Sequence, residues 1–132
     1  MPFLVDTSLI LDVATDDPVW GEWSDAQLTK HQKDGLLVNP VIYAELCAGA
    51  DQSSEVDVLL KELKLEFREL TREALFLAAK AFLRYRRRGG TKTLPLPDFF
   101  IGAQAESLGI ALITRDPARF GTYFPKVKLI VP

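Results

Sequence analysis

The sequence predicts an α/β domain: a doubly wound, mostly parallel sheet of four to five strands with helices packed on it. Two observations predict it. Short and almost wholly apolar runs recur along the chain, at Phe3-Leu4-Val5, Leu36-Leu37-Val38 and Ile110 to Ile113. Strands covered on both faces read this way. Between them stand longer segments with apolar residues at helical spacing, opened or closed by capping residues, Pro or Gly.

In order, residues 3–5 form the first strand, and a short helix runs from Ser8 to about Ala14 with Thr7 or Ser8 as cap. After the Asp16-Asp17-Pro18 turn, Val19, Trp20, Trp23 and Ala26 mark a helix over 19–33, which Gly35 stops. Leu36-Leu37-Val38 is the second strand. Pro40, favoured at a first helical position, opens the helix that carries Glu45, and Ala48-Gly49-Ala50 closes it. Ser53-Ser54 begins a helix with Val56, Leu59, Leu60 and Leu63 on one face. Leu65 to Leu70 reads as the third strand. Thr71 caps a long helix to about Arg88, with Leu75, Ala78, Ala79 and Phe82 facing inward. Residues 89–93 are loop by composition. Pro97 opens the helix bearing Asp98 and Gly109 ends it; residues 110–114 and 127–131 supply the fourth and fifth strands.

A length of 132 residues fits one domain, 1–132, large enough for a single core. Hydrophobic residues at 48% and charged residues at 26% describe a soluble globular protein rather than a disordered or membrane one. Met1-Pro2-Phe3 leads into an apolar run without a basic segment or cleavage site, and no stretch approaches a membrane span, so a cytoplasmic address is expected. Cys47 is the only cysteine, which excludes an internal disulfide and a cysteine zinc site. His31, the only histidine, lies in Lys30-His31-Gln32-Lys33 and reads as a solvated surface residue. Acid–base chemistry therefore falls to carboxylates, lysines or metal-bound water.

Four acids stand where strands or loops hand over to helices: Asp6, Glu45, Asp98 and Asp116. Alone, Asp6 and Asp98 read equally as helix-terminal carboxylates, and Asp116 before Pro117 as a turn. Glu45 sits among Ile42, Tyr43, Ala44, Leu46 and Cys47, where a charge is better explained by a cleft. Together they change the reading. A parallel sheet puts the carboxyl ends of its strands on one edge, where such folds bind ligands. Carboxylates gathered there repel one another unless a cation lies among them. Mg²⁺ takes one or two carboxylates and keeps several waters; Asp6 and Asp98 suit direct ligation, and Glu45 and Asp116 suit holding water or a second ion. Thr7, Ser8 and Thr114 flank the acids as hydroxyls that orient water or phosphate, or as caps and turn formers. Asp12, one to two turns beyond Asp6, supports the site from behind. The chemistry implied is phosphodiester cleavage by metal-activated water.

The net charge of −2 averages over faces and hides a basic segment. Arg84, Arg86, Arg87, Arg88 and Lys92 fall within nine residues and lead toward Asp98. Such charge grips phosphate backbones, although arginines in a last helical turn also complement the helix dipole. Tyr85 among them is placed to stack on an unpaired base.

Val5-Asp6-Thr7-Ser8, Tyr43-Ala44-Glu45-Leu46, the run Pro97-Asp98-Phe99-Phe100-Ile101-Gly102-Ala103-Gln104-Ala105, and Leu112-Ile113-Thr114-Arg115-Asp116 occur in the order seen in PIN-domain proteins. The chain resembles that family over nearly its whole length, and more narrowly the VapC-type ribonuclease toxins of toxin–antitoxin pairs. The resemblance implies a three-layer α/β/α PIN-like fold, a Mg²⁺- or Mn²⁺-dependent endoribonuclease acting on RNA, a homodimer and a small cognate antitoxin. By position, Asp6, Glu45, Asp98 and Asp116 are its acidic quartet and also its metal ligands, with Thr114 the accompanying hydroxyl. Arg86, Arg87, Arg88 and Lys92 are the candidate RNA contacts. Two rivals stand beside this reading. One is an RNA- or protein-binding PIN module without turnover. The other is phosphoryl transfer through an aspartyl intermediate on Asp6, which the absence of a second aspartate two residues on argues against.

Overall fold

The computed structural model describes residues 1–89 and 96–132. Its centre is a five-stranded sheet of β1 (Phe3–Val5), β2 (Leu36–Val38), β3 (Leu65–Phe67), β4 (Ala111–Ile113) and β5 (Leu129–Ile130). The order is β3-β2-β1-β4-β5 and every pairing is parallel. β1 lies in the middle, with Phe3 opposite Leu36 on one side and Val5 opposite Ile113 on the other. Leu4, Val5, Val38, Leu112 and Ile113 are inaccessible to solvent, as the apolar runs predict.

Six helices connect the strands: α1 (Thr7–Ala14), α2 (Gly21–His31), α3 (Pro40–Ala48), α4 (Ser53–Glu62), α5 (Arg72–Arg87) and α6 (Leu96–Leu108). α1 packs on α2 and α3, and α3 on α4, while α5 packs along α6. Parallel connections are right-handed. The chain moves one way from β1 to β3 and returns across the sheet to β4, so the two groups cover opposite faces and give the expected three-layer α/β/α architecture. The starts of α3 and α5 are capped by side chains. The Asn39 side chain accepts a hydrogen bond from the Ile42 amide at 2.9 Å, and that of Thr71 accepts from Ala74 at 3.1 Å. Each such cap is worth about 1 kcal/mol.

Several local expectations are corrected. β3 is three residues rather than six: past Arg68, whose amide still bonds Val38 at 2.8 Å, the Glu69 carbonyl accepts from the Gln104 side chain of α6 at 3.3 Å instead of from a strand. α5 buries Ala74, Ala78, Ala81 and Tyr85, whereas Leu75 and Ala79 are exposed. The small alanines let α5 lie close along α6. Tyr85 faces inward and cannot stack on a base. In α2 the inward residues are Ser24 and Leu28, not Val19 and Ala26. His31 is not a solvated residue: its ring packs on Phe3 at 4.2 Å, Nε2 is buried without a hydrogen-bond partner, and burial pushes its pKa down.

The face holding α5 and α6 is cemented by aromatic rings. Phe99 on α6 meets Phe82 at 5.3 Å, Tyr85 at 5.5 Å, Tyr123 at 5.7 Å and Phe124 at 6.2 Å. The pairs with Phe82 and Phe124 are edge-to-face and the other two tilted; aromatic pairs in such geometries add about 0.5–1.5 kcal/mol each beyond their buried area. Gly102, one turn further along α6, has no side chain because Phe124 fills the space: a Cβ there would lie 2.3 Å from the ring. Gly102→Ala is expected to lower the unfolding free energy by about 1–3 kcal/mol through overpacking, read as a shift in the urea midpoint. An unchanged midpoint would mean that Phe124 has room to retreat.

Candidate active site

The strand order places a topological switch point between β1 and β4: from β1 the chain leaves toward β2, and from β4 toward β5. Connections that diverge in this way open a crevice at the carboxyl ends of the strands. Asp6 ends β1 at that point, and its amide donates to the Ile113 carbonyl at 3.0 Å. Asp6 occupies the cap position of α1 yet makes no capping hydrogen bond. Its carboxylate turns instead toward β4 and α6. The choice between cap and site thus falls to the site.

Asp6 is 0% exposed. Its Oδ2 accepts from the Thr114 hydroxyl at 2.8 Å and from Arg119 Nη1 at 3.1 Å, with Ser8 more distant at 3.4 Å. Its Oδ1 is buried with no hydrogen-bond partner of ordinary geometry among the described residues. Burial pushes the Asp6 pKa up, and the nearby Asp98 adds to this, against the pull of Arg119 and Thr114. Thr114 relays between two acids, since the same hydroxyl accepts from the Asp116 amide at 3.1 Å.

Asp98 stands in the first turn of α6, 2% exposed, where the helix dipole favours a carboxylate. Phe99, the aromatic hub, anchors that turn to the core. Both Asp98 oxygens accept from Arg119, Oδ2 from Nε at 3.0 Å and Oδ1 from Nη2. One guanidinium therefore spans Asp6 and Asp98. Burial works against the Arg119 charge. The hydrogen bonds to Asp98 and the negative charges of Asp6, Asp98 and Asp116 outweigh it and push its pKa further up.

Glu45, half-buried on α3, accepts from the Thr7 hydroxyl at 2.6 Å. Asp116 is exposed at the start of the 3-10 turn Pro117–Arg119. Asp6 and Asp98 are thus drawn together on one cation, Asp116 borders them through Thr114 and its charge on Arg119, and Glu45 is joined at the Asp6 end through Thr7. Among the described residues no three acids converge into a ready-made metal cage. The donor set nevertheless suits a hard cation. Two buried carboxylates already share one positive charge, and among the described residues a buried oxygen of Asp6 has no well-aligned donor.

Two arginines escaped the sequence reading. Arg119 is one; Arg115 is the other. Arg115 forms a fork with buried Asp12, Nε to Oδ2 at 3.0 Å and Nη2 to Oδ1 at 3.1 Å, while Ser24 donates to Asp12 at 2.8 Å. Its guanidinium also lies 5.4 Å from the centre of a Trp20 ring. This clamp fixes the loop between Thr114 and Asp116 to α1 and α2, which makes the expected supporting role of Asp12 concrete. Two cations flanking Asp116 at −1 and +3 were the available signal. Arg86, Arg87 and Arg88 are exposed at the end of α5, with Arg88 over Tyr123 at 5.7 Å. Tyr123 in turn packs on Phe99, the neighbour of Asp98, so the basic end of α5 borders the site. Lys92 lies outside the described residues.

Removing the buried carboxylate in Asp12→Ala deletes three hydrogen bonds, two of them from the Arg115 guanidinium. An unfolding free energy lower by about 2–3 kcal/mol is expected in chemical denaturation. A change within about 0.5 kcal/mol, ordinary for surface substitutions, would show the fork to be idle.

The family of this parallel α/β sheet follows from its sequence, and solved structures share its fold. The PIN domain model matches residues 3–123, and the chain belongs to the PIN-domain family. No curated protein matches the sequence. Among solved structures, VapBC-1 from nontypeable Haemophilus influenzae superposes with a TM-score of 0.74 at 20% identity, covering 99% of this chain and 98% of that one. VapBC2 from Rickettsia felis, bound to a DNA fragment from its promoter, gives 0.73 at 15% with the same coverage. VapBC-5 from Mycobacterium tuberculosis, a member of the VapBC family of toxin–antitoxin systems, gives 0.66 at 19%, again over 99% and 98%. These likenesses establish the fold over the whole chain. No helix among the described residues is long and apolar enough to cross a membrane.

Proposed function

We propose that the chain is a metal-dependent endoribonuclease, the toxin of a VapBC-type pair. The observation that carries this reading is the Asp6–Asp98 pair, two buried carboxylates at the switch point that share one cation, with no well-aligned donor on Asp6 Oδ1 among the described residues. Asp6 and Asp98 would hold Mg²⁺ or Mn²⁺. An ion in that position would supply positive charge to the phosphoryl oxygens and lower the pKa of water. Thr114 keeps Asp6 oriented. Glu45, fixed by Thr7, and Asp116 at the rim would orient the water that attacks phosphorus, and one of them would take its proton and pass it to the leaving oxygen as the phosphorus–oxygen bond breaks. Arg86, Arg87 and Arg88 would hold the RNA backbone beside Asp98, with Lys92 a further phosphate contact.

The VapBC complexes of the same fold support a small antitoxin as partner, and we propose a homodimer and a cytoplasmic RNA target with it. Co-purification with the product of an adjoining reading frame tests the partner. The carboxylates are tested directly. Purified protein is expected to cleave RNA in Mg²⁺ or Mn²⁺ and to stop in EDTA. Asp98→Asn should lose more activity than the roughly 100-fold typical of disturbing an outer-shell contact. Undiminished cleavage by that variant, in a preparation free of other ribonucleases, would end the assignment.

A second reading, a binding module without turnover, draws on Arg119, which already bridges the pair that an ion would occupy. RNA affinity that persists in chelator, with no cleavage under any metal, would favour it. Under either reading the basic end of α5 meets phosphate. Arg86→Ala, Arg87→Ala and Arg88→Ala combined should weaken binding to single-stranded RNA and flatten the log–log salt dependence by about 0.7 for each phosphate no longer neutralised. An unaltered slope would remove these arginines from the interface.

A further inference from the structure

We propose that Arg119 is the resident counter-ion of the acidic site, holding Asp6 and Asp98 in the metal-free protein and leaving when a divalent ion binds. The inference rests on the metal reading given above and concerns what that ion must displace.

The geometry makes the two cations alternatives. Arg119 engages both oxygens of Asp98 and Oδ2 of Asp6. A divalent ion could reach Asp6 through its free Oδ1 without disturbing the arginine. At Asp98 it would meet the guanidinium, which already engages both carboxylate oxygens. Magnesium binds oxygen at about 2.0–2.1 Å, closer than a guanidinium nitrogen approaches, and the two positive charges would then lie side by side among the same carboxylates. An ion ligated by both acids therefore requires the Asp98 fork to open.

Of the three partners, Arg119 is the one built to move. Asp6, at the cap position of α1, and Asp98, in the first turn of α6, are buried, locked by the sheet and by the Phe99 cluster. The Arg119 side chain is 25% exposed and reaches in from the 3-10 turn after β4. Its backbone is held where it is, by its own amide on Asp116 at 3.3 Å and those of Phe120 and Gly121 on Pro117 at 3.1 and 3.0 Å. Release needs only side-chain rotation toward solvent, with no change in the fold. Arg115 differs: its fork ends on Asp12, away from the pair, and nothing in the site competes for it.

A competitor inside the protein weakens apparent metal affinity in proportion to the time that it occupies the site. Titration of Mn²⁺ into metal-free protein without RNA, followed by calorimetry, measures this apart from catalysis. Arg119→Gln should bind Mn²⁺ on the order of 10-fold more tightly, the gain expected if the arginine occupies the acids about nine-tenths of the time. Arg119→Lys, which keeps the charge but loses the fork, should fall between. Arg88→Gln removes a nearby exposed charge and should stay within about twofold of the parent, so that a general field effect is separated from competition. The melting temperature of metal-free Arg119→Gln should fall, and Mn²⁺ should raise it by more than it raises that of the parent. Equal or weaker binding by folded Arg119→Gln overturns the displacement and leaves the metal reading standing. Binding by neither protein overturns both.

Discussion

Burying two like charges beside each other is the constraint around which this molecule is arranged. Asp6 and Asp98 have almost no access to water, and carboxylates in that state stay ionised only if a positive charge and hydrogen bonds replace their hydration. The protein supplies both from one segment. Residues 114–119 deliver the Thr114 hydroxyl to Asp6, the Asp116 charge to the rim and the Arg119 guanidinium to the pair itself. The same segment is clamped from the other side by Asp12 and Ser24 through Arg115. Its geometry is therefore determined twice over, by the sheet through β4 and by α1 and α2 through the clamp.

The core serves the same end. Phe99 follows Asp98 directly and is the ring that Phe82, Tyr85, Tyr123 and Phe124 all touch. The packing that holds α5 to α6 thereby also sets where the first turn of α6 presents its carboxylate. Gly102 admits Phe124 to this cluster by having no side chain. The run from Asp98 to Ala105 reads as one unit for that reason: a charge at the site, a ring behind it, a space for a second ring, then small residues against the neighbouring helix.

Much of this was legible in the sequence, and the parts that were not share a cause. Apolar runs and Gly or Pro punctuation located all five strands and six helices, because burial on both faces and chain reversal leave strong local signatures. That Asp6 and the Thr114–Asp116 segment lie together was legible once the sheet was parallel, since β1 and β4 end on the same edge. What could not be read were choices settled between distant segments. β3 stops early because Gln104, 35 residues away, takes the carbonyl of Glu69. The inward face of α5 is turned by one residue because its alanines fit α6 better than Leu75 does. Ser24 faces inward because Asp12 needs a donor. Arg119 has no periodic pattern at all, and its role exists only through two carboxylates more than 20 residues away in the chain.

That separation has a consequence for how the protein comes into being. The bonds that complete the acidic cluster join Asp6 to Thr114 and Arg119 across 108 and 113 positions of sequence. A chain emerging from the ribosome, made from its amino terminus, can form the β1–β2–β3 half of the sheet early. It has no β4 to set beside β1 until residues 111–119 have been made. Throughout most of translation Asp6 has neither its hydroxyl donor nor its guanidinium, and the last acid of the quartet does not yet exist. The acidic site is therefore completed only when nearly the whole of residues 1–119 has been made.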